Sequence, residues 1–200
     1  MYDPELTVGT PVQVTAETSL NALAHCVEAA YAVQRSPEAE AVALAGVRAI
    51  HDALPRVVDD PSSLEARTDL LAGAALAGRA LQNATMGVHH GLSQQLGGRT
   101  GIPHGLANAI VLPHAMAFNA EAVGIQMTLV GAALGDADDP PGAAARLVER
   151  LGRDPAVGQP GRQAEDLDAV ARLSQENRSV MANPRPVSEA DARAILEAAL

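Results

Sequence analysis

The sequence has no lysine, no tryptophan, one phenylalanine, two tyrosines and one cysteine, Cys26. Without lysine there is no Schiff-base nucleophile and no phosphate-loop lysine. A lone cysteine excludes a disulfide framework or a cysteine-based zinc ribbon within the chain. With aromatic content at 2% and hydrophobic content at 48%, the core must be built from Ala, Leu and Val. Alanine is the strongest helix former, so this composition favours closely packed helices. No apolar run approaches the roughly 20 residues that span a bilayer. The first residues, MYDPELTVGT, lack a basic region followed by an apolar stretch. A cytoplasmic protein is the expectation. No strand leads into G-x-G-x-x-G and no G-x-x-x-x-G-K-S/T occurs, so no nucleotide-binding fold is recognisable. Positive charge is also scarce: the net charge is −10 and all 14 basic residues are arginine. That balance argues against nucleic acid and anionic membrane as partners. The bias toward Ala, Arg and Gly is that of a GC-rich bacterial genome.

Two hundred residues fit one domain with room for a core. The expected fold is all-α over 1–200, with an extended or irregular lead-in at 1–15 and helices from 16 onward. Pro4, Gly9 and Pro11 break any helical period in the lead-in, and Val12-Gln13-Val14 shows the one hint of strand alternation. A first helix is predicted near 17–34, capped by Thr15 or Thr18. A second starts at Ser36-Pro37 and runs to about Leu54, followed by a polar turn from Pro55 to Pro61. Ser62-Ser63-Leu64-Glu65 offers a capping box for a third, whose small residues (Ala72, Gly73, Ala77, Gly78) suggest a central position. His89 to Leu96 reads as a helix ended by Gly97-Gly98. Pro103 opens the next, to about Asn119. Helices near 121–134, 142–152, 165–175 and 188–199 complete the chain, with loops at Gly135–Pro141 and Gly158–Gly161.

Four of the six histidines (His89, His90, His104 and His114) fall between Gly87 and His114. Asn21 and His25 lie four residues apart and share a helix face, with Glu28 one turn further on as an outer partner. His90 and Gln94 have the same spacing. His104 follows Pro103 at a helix start, where its ring can point into a cleft. Three imidazoles from three elements (His25, His90 and His104) suit a divalent metal with an open position. Each histidine taken singly also fits a satisfied core or surface residue. His89 is ambiguous, His114 looks like a structural helix-start residue, and His51 is expected in solvent.

These residues resemble a family. Tyr2-Asp3-Pro4-Glu5-Leu6-Thr7, Asn21-Ala22-Leu23-Ala24-His25-Cys26-Val27-Glu28-Ala29, His89-His90-Gly91-Leu92, Leu96-Gly97-Gly98, Pro103-His104-Gly105-Leu106-Ala107-Asn108-Ala109-Ile110, Leu112-Pro113-His114 and Asn183-Pro184-Arg185-Pro186 carry the likeness. The chain resembles the C-terminal helical domain of iron-containing alcohol dehydrogenases, and within them the maleylacetate reductases. The resemblance implies a metal, iron or zinc, at Asn21, His25, His90 and His104. Asn21 stands where most of the family has Asp. That matches the maleylacetate reductase branch and implies a weaker metal site. At Gln94 the family usually has a proton-relay histidine beside the nicotinamide. Gln does not titrate, though it can hydrogen-bond a substrate oxygen. The resemblance also implies that the chain begins where a nucleotide-binding domain ends, so NAD(P) would be held by a domain supplied in trans.

The leading reading is therefore the metal and substrate half of an oxidoreductase acting on a carbonyl or enone. His89, His90, Gln94 and His104 are the candidate catalytic residues, and His25, His90, His104 and, weakly, Asn21 the metal ligands. A stand-alone, nucleotide-independent lyase, isomerase, cyclase or hydrolase using the same pocket is the alternative. A non-catalytic remnant or binding module is the third reading. An apolar face around residues 1–15 predicts a homodimer or a partner nucleotide-binding chain.

Overall fold

A computed structural model describes residues 2–151 and 164–200 of the chain. The loop expected at Gly158–Gly161 lies outside the described residues. Among them there is no strand. A 3-10 turn at Pro4–Thr7 precedes α1 (Val12–Tyr31), α2 (Pro37–Asp59), α3 (Leu64–Gln82), α4 (Val88–Thr100) and α5 (His104–Asn119). There follow α6 (Gly124–Ala133), α7 (Pro140–Arg150), α8 (Ala164–Ser174), the single turn α9 (Arg178–Met181) and α10 (Glu189–Ala199). No described helix is long and apolar enough to cross a membrane.

The apolar residues form two cores, and α5 belongs to both. Ala109, Leu112 and Met116 face the first core with α1, α2, α3, α6 and α7. Ala107, Ile110, Val111 and Ala115 face the second with α4, α8 and α10. A helix apolar on all sides must be buried on all sides. This displaces the expectation that α3 is central. The small residues of α3 instead allow close approach to α2. A Cβ on Gly73 would stand 2.6 Å from Ile50 Cγ1 and 3.2 Å from the Ile50 nitrogen. α3 packs on α1, α2 and the 3-10 turn, and its remaining face is open to solvent.

Several boundaries differ from the sequence reading. Val12 and Val14 are helical, because a three-residue alternation finds no partner strand while a helix satisfies its backbone locally. Pro11 occupies the N-cap of α1, and Thr18 donates its hydroxyl back to the Val14 carbonyl at 2.8 Å instead of capping. Pro55 and Pro113 sit inside helices, where the expected turn after Leu54 and helix start at His114 do not occur. An interior proline costs about 3 kcal/mol. Both prolines are buried, each beside a buried leucine. Burying a large apolar side chain returns roughly 1.5–3 kcal/mol, so two such residues outweigh the break. α4 continues through Gly97-Gly98 and stops at Gly101, whose φ of 74° is the left-handed conformation that ends a helix. Ser63 caps α3 by accepting from the Ala66 N–H, but a reciprocal box is absent there because Ala66 has no acceptor. The box expected at Ser188 and Asp191 is present.

Candidate active site

The site lies where the middle of α1 faces the first turn of α4. Helix α4 starts at Gly87 with no side chain of its own to cap it. Its exposed N–H groups are met from outside by two buried side chains. Glu28 of α1 accepts from the N–H of Gly87 and of His89, both at 2.9 Å. Asn183, from the loop before α10, accepts from the Val88 N–H at 3.1 Å. A carboxylate at a helix N-terminus also gains from the helix dipole. Gly87 has no side chain for a physical reason. A Cβ there would stand 2.7 Å from Asn183 Oδ1 and 2.8 Å from Glu28 Oε1. Asn183 is itself locked by a reciprocal amide pair with Asn119, at 2.7 and 3.0 Å.

Glu28 Oε2 also lies 2.7 Å from His90 Nδ1. Burial pushes the Glu28 carboxyl up, but the His90 hydrogen bond, the His90 and His89 charges and the Gly87 N–H together hold it down to about 2. It is therefore an acceptor at neutral pH, and His90 must carry its proton on Nδ1. His90 Nε2 is left with its lone pair, buried and without a hydrogen-bond partner. The same logic fixes His25. Its Nδ1 donates to the Asn21 backbone carbonyl at 2.8 Å, leaving its Nε2 lone pair free. Burial first, then the neighbouring His90, lowers His25 to about 4, so it is neutral at pH 7. The His25 and His90 rings stand 4.1 Å apart, centre to centre. Asn21 Oδ1, one turn back on α1, is likewise buried and unpartnered.

His104 opens α5 and is exposed. Its neighbour Gly105 lets α5 close on α1, since a Cβ there would stand 2.5 Å from Glu17 Cβ and 3.0 Å from the Glu17 carbonyl. This brings His104 within electrostatic range of His25, whose proton affinity it lowers slightly. The structure thus gathers Asn21, His25 and His90, with His104 alongside. Of the two other candidates, His89 packs edge-on against His90, its Nδ1 3.2 Å from His90 Nδ1, while Gln94 lies apart. His89 is fully buried, and its Nε2 donates to the Asn108 carbonyl at 2.9 Å. Burial, the leading cause, lowers it to about 3. Gln94 is exposed and lines a groove with Asn177, Arg178 and Ser179 at α9. His51 is partly buried beside Asp52, and His114 lies half-buried in a shallow hollow against α10.

Glu28, His89 and His90 also offer ligand atoms within 4.8 Å of one another. Those groups already bond one another and the backbone: both Glu28 oxygens accept N–H groups, Glu28 Oε2 lies 2.7 Å from His90 Nδ1, and His89 Nδ1 lies 3.2 Å from that same nitrogen. That trio is a hydrogen-bonded cluster. Asn21 Oδ1 and His90 Nε2 are among the buried polar atoms without a hydrogen-bond partner, as is Asn108 Oδ1, and an amide oxygen with imidazole nitrogens fits a divalent cation. The carboxylate behind His90 is the outer support such a ligand usually has. Sequence spacing suggested Glu28 as a partner for His25. Its real partners are His90 and the α4 backbone, which no helical period predicts. Asn108 stood out only as part of the Pro103–Ile110 stretch, and Asn119 gave no signal at all.

The domain is all-helical among the described residues, and it sets the His25 and His90 rings side by side. The chain belongs to the Fe-containing alcohol dehydrogenase family: that family's C-terminal model matches residues 15–200. It is 37% identical to a maleylacetate reductase of Burkholderia cepacia over 98% of this chain and 55% of that protein. The crystal structure of maleylacetate reductase from Rhizobium sp. superposes with a TM-score of 0.91 at 38% identity, covering 100% of this chain and 56% of that one. An iron-containing alcohol dehydrogenase from Corynebacterium glutamicum superposes equally well, at 0.91 and 33% identity over 100% of this chain and 55% of that one. The chain therefore spans about half the length of the relatives it matches.

Proposed function

We propose that this chain provides the metal- and substrate-binding half of an NAD(P)-dependent oxidoreductase that reduces a carbonyl or enone. A 4-oxo-2-enedioate such as maleylacetate is the substrate class that the maleylacetate reductase likeness favours. The carrying observation is the pair of unsatisfied acceptors, Asn21 Oδ1 and His90 Nε2, beside a His25 whose tautomer is set to offer a third lone pair. Asn21, His25, His90 and His104 would hold a divalent ion, iron or zinc. Such an ion supplies a Lewis acid that polarises a substrate oxygen. The chain's own contribution is orientation. Glu28 holds the His90 ring, the Asn21 carbonyl holds the His25 ring, and burial keeps His25 neutral. His89, committed to Asn108, acts as a positioning residue. Gln94 offers an amide to a substrate oxygen but does not transfer a proton. The nicotinamide nucleotide is held by a nucleotide-binding domain, in this polypeptide or another.

The test has two arms. The chain is stripped with a chelator and titrated with Fe(II) or Zn(II), with bound metal counted by mass spectrometry. One equivalent is expected, lost in His90→Ala and His25→Ala. NAD(P)H oxidation by a 4-oxo-2-enedioate is then followed in the presence of a nucleotide-binding domain from a relative. No bound metal and no turnover would overturn the reading.

A further inference from the structure

A mainly apolar cavity of about 220 Å³ opens between the 3-10 turn and helices α1, α2 and α3. None of Asn21, His25, His90 or His104 is among its lining residues. Its walls are partly apolar, with Ile50, Leu70 and Leu71, and partly polar, with Thr15, Ser19 and Arg67. Arg67 decides its chemistry. It is 1% exposed, and its hydrogen-bond partners among the described residues are neutral oxygens. Its Nε donates to the Pro61 carbonyl at 2.7 Å, and Nη1 donates to Thr7 Oγ1 at 3.3 Å. Nη2 is buried with no partner. Thr15 Oγ1, lining the same cavity, is also buried and unpartnered.

A guanidinium is always charged, and burying it without a counter-charge is costly. Neutral acceptors on two of its nitrogens do not cancel that charge. The hydroxyls nearby are mostly spent: Thr7 donates to the Pro4 carbonyl and Thr18 to the Val14 carbonyl. What remains is one cation edge and one hydroxyl donor facing a common space. Two donors and a net positive charge call for an oxyanion, and the guanidinium fork matches carboxylate and phosphate geometry.

We propose that this cavity is a binding site for a small oxyanion, a carboxylate or a phosphate, held by Arg67 Nη2 and Thr15 Oγ1. The volume admits a molecule of a few heavy atoms, and the apolar wall of Ile50, Leu70 and Leu71 accommodates a short carbon chain.

The test uses the whole chain after chelator treatment, so its result does not depend on the metal site. Thermal unfolding and calorimetry are followed with inorganic phosphate and with malonate, against chloride at equal ionic strength. A saturable rise in Tm with at least one anion is expected. A response to phosphate points to a phosphorylated ligand, and one to malonate points to a carboxylate. Arg67→Met should abolish the saturable shift. If that variant fails to fold, Thr15→Val serves instead, weakening binding about fivefold, as loss of one hydrogen bond does. No saturable response to either anion would overturn the proposal, as would equal affinity in Thr15→Val, and the cavity would then hold water only.

Discussion

The Glu28 carboxylate lies 2.7 Å from His90 Nδ1 while also receiving three backbone N–H groups at the start of α4, those of Gly87, His89 and His90. One buried side chain thus closes a helix end and sets the tautomer of an imidazole on that helix. Fold and site share a single group. Glu28→Gln should be costly for that reason, because an amide NH₂ would face donors that need an acceptor. Hydrogen bonds to a charged group contribute about 1.5–3 kcal/mol each, so a net loss of about 3 kcal/mol is expected. Urea unfolding at neutral pH measures it. A loss under about 1 kcal/mol would show that the cap is dispensable.

Asn21 presents a neutral oxygen where a carboxylate would add charge. Asn21→Asp should raise divalent-cation affinity tenfold or more, since about 1.4 kcal/mol of added attraction suffices. Competition against a chromophoric chelator reads the change. Unaltered affinity would remove Asn21 from the proposed ligand set.

Two glycines of α3 should respond in opposite directions. Gly73→Ala meets Ile50 at 2.6 Å, so overpacking should destabilise by about 1–3 kcal/mol. Gly78 has nothing within 4 Å of a built Cβ, so Gly78→Ala should stabilise by up to about 1 kcal/mol through helix propensity. Denaturant midpoints of the two variants decide. A Gly73→Ala chain as stable as the parent would mean that α2 and α3 are less closely packed than described.

Cys26 is fully buried, and burial pushes its thiol up to about 12. Only the thiolate reacts, and raising a thiol pKa lowers its thiolate fraction at any given pH. The folded chain should therefore leave a disulfide reagent unreacted at pH 8, and one thiol should titrate on adding denaturant. Fast labelling without denaturant would place Cys26 at the surface.

Tyr2, Leu6 and Val14 are 64%, 82% and 45% exposed, a run of apolar side chains ahead of and within the first turn of α1. Such surface usually marks a contact face. Without a nucleotide-binding partner the chain is expected to form a dimer, and Leu6→Glu should dissociate it. Light scattering at micromolar concentration distinguishes the two. A monomeric parent chain would assign this face to a partner domain alone.

Much of this was legible from residues alone. The all-helical class followed from abundant alanine and scarce aromatics. The face shared by Asn21 and His25 followed from a spacing of four, and the expectation that His25 and His90 come together matches their ring contact. Local caps such as Ser36 and Ser188 were readable because a cap is a short-range hydrogen bond. The interior prolines, the double-sided burial of α5 and the partners of Glu28, Asn183 and Arg67 were not. Each depends on groups far apart in sequence, Glu28 and Gly87 being separated by 59 positions. Sequence determines which groups need a partner, because donors, acceptors and charges are properties of the residue. Only the tertiary structure decides which partner is within reach, because burial and packing settle whether a hydrogen bond, a ligand or water meets the need.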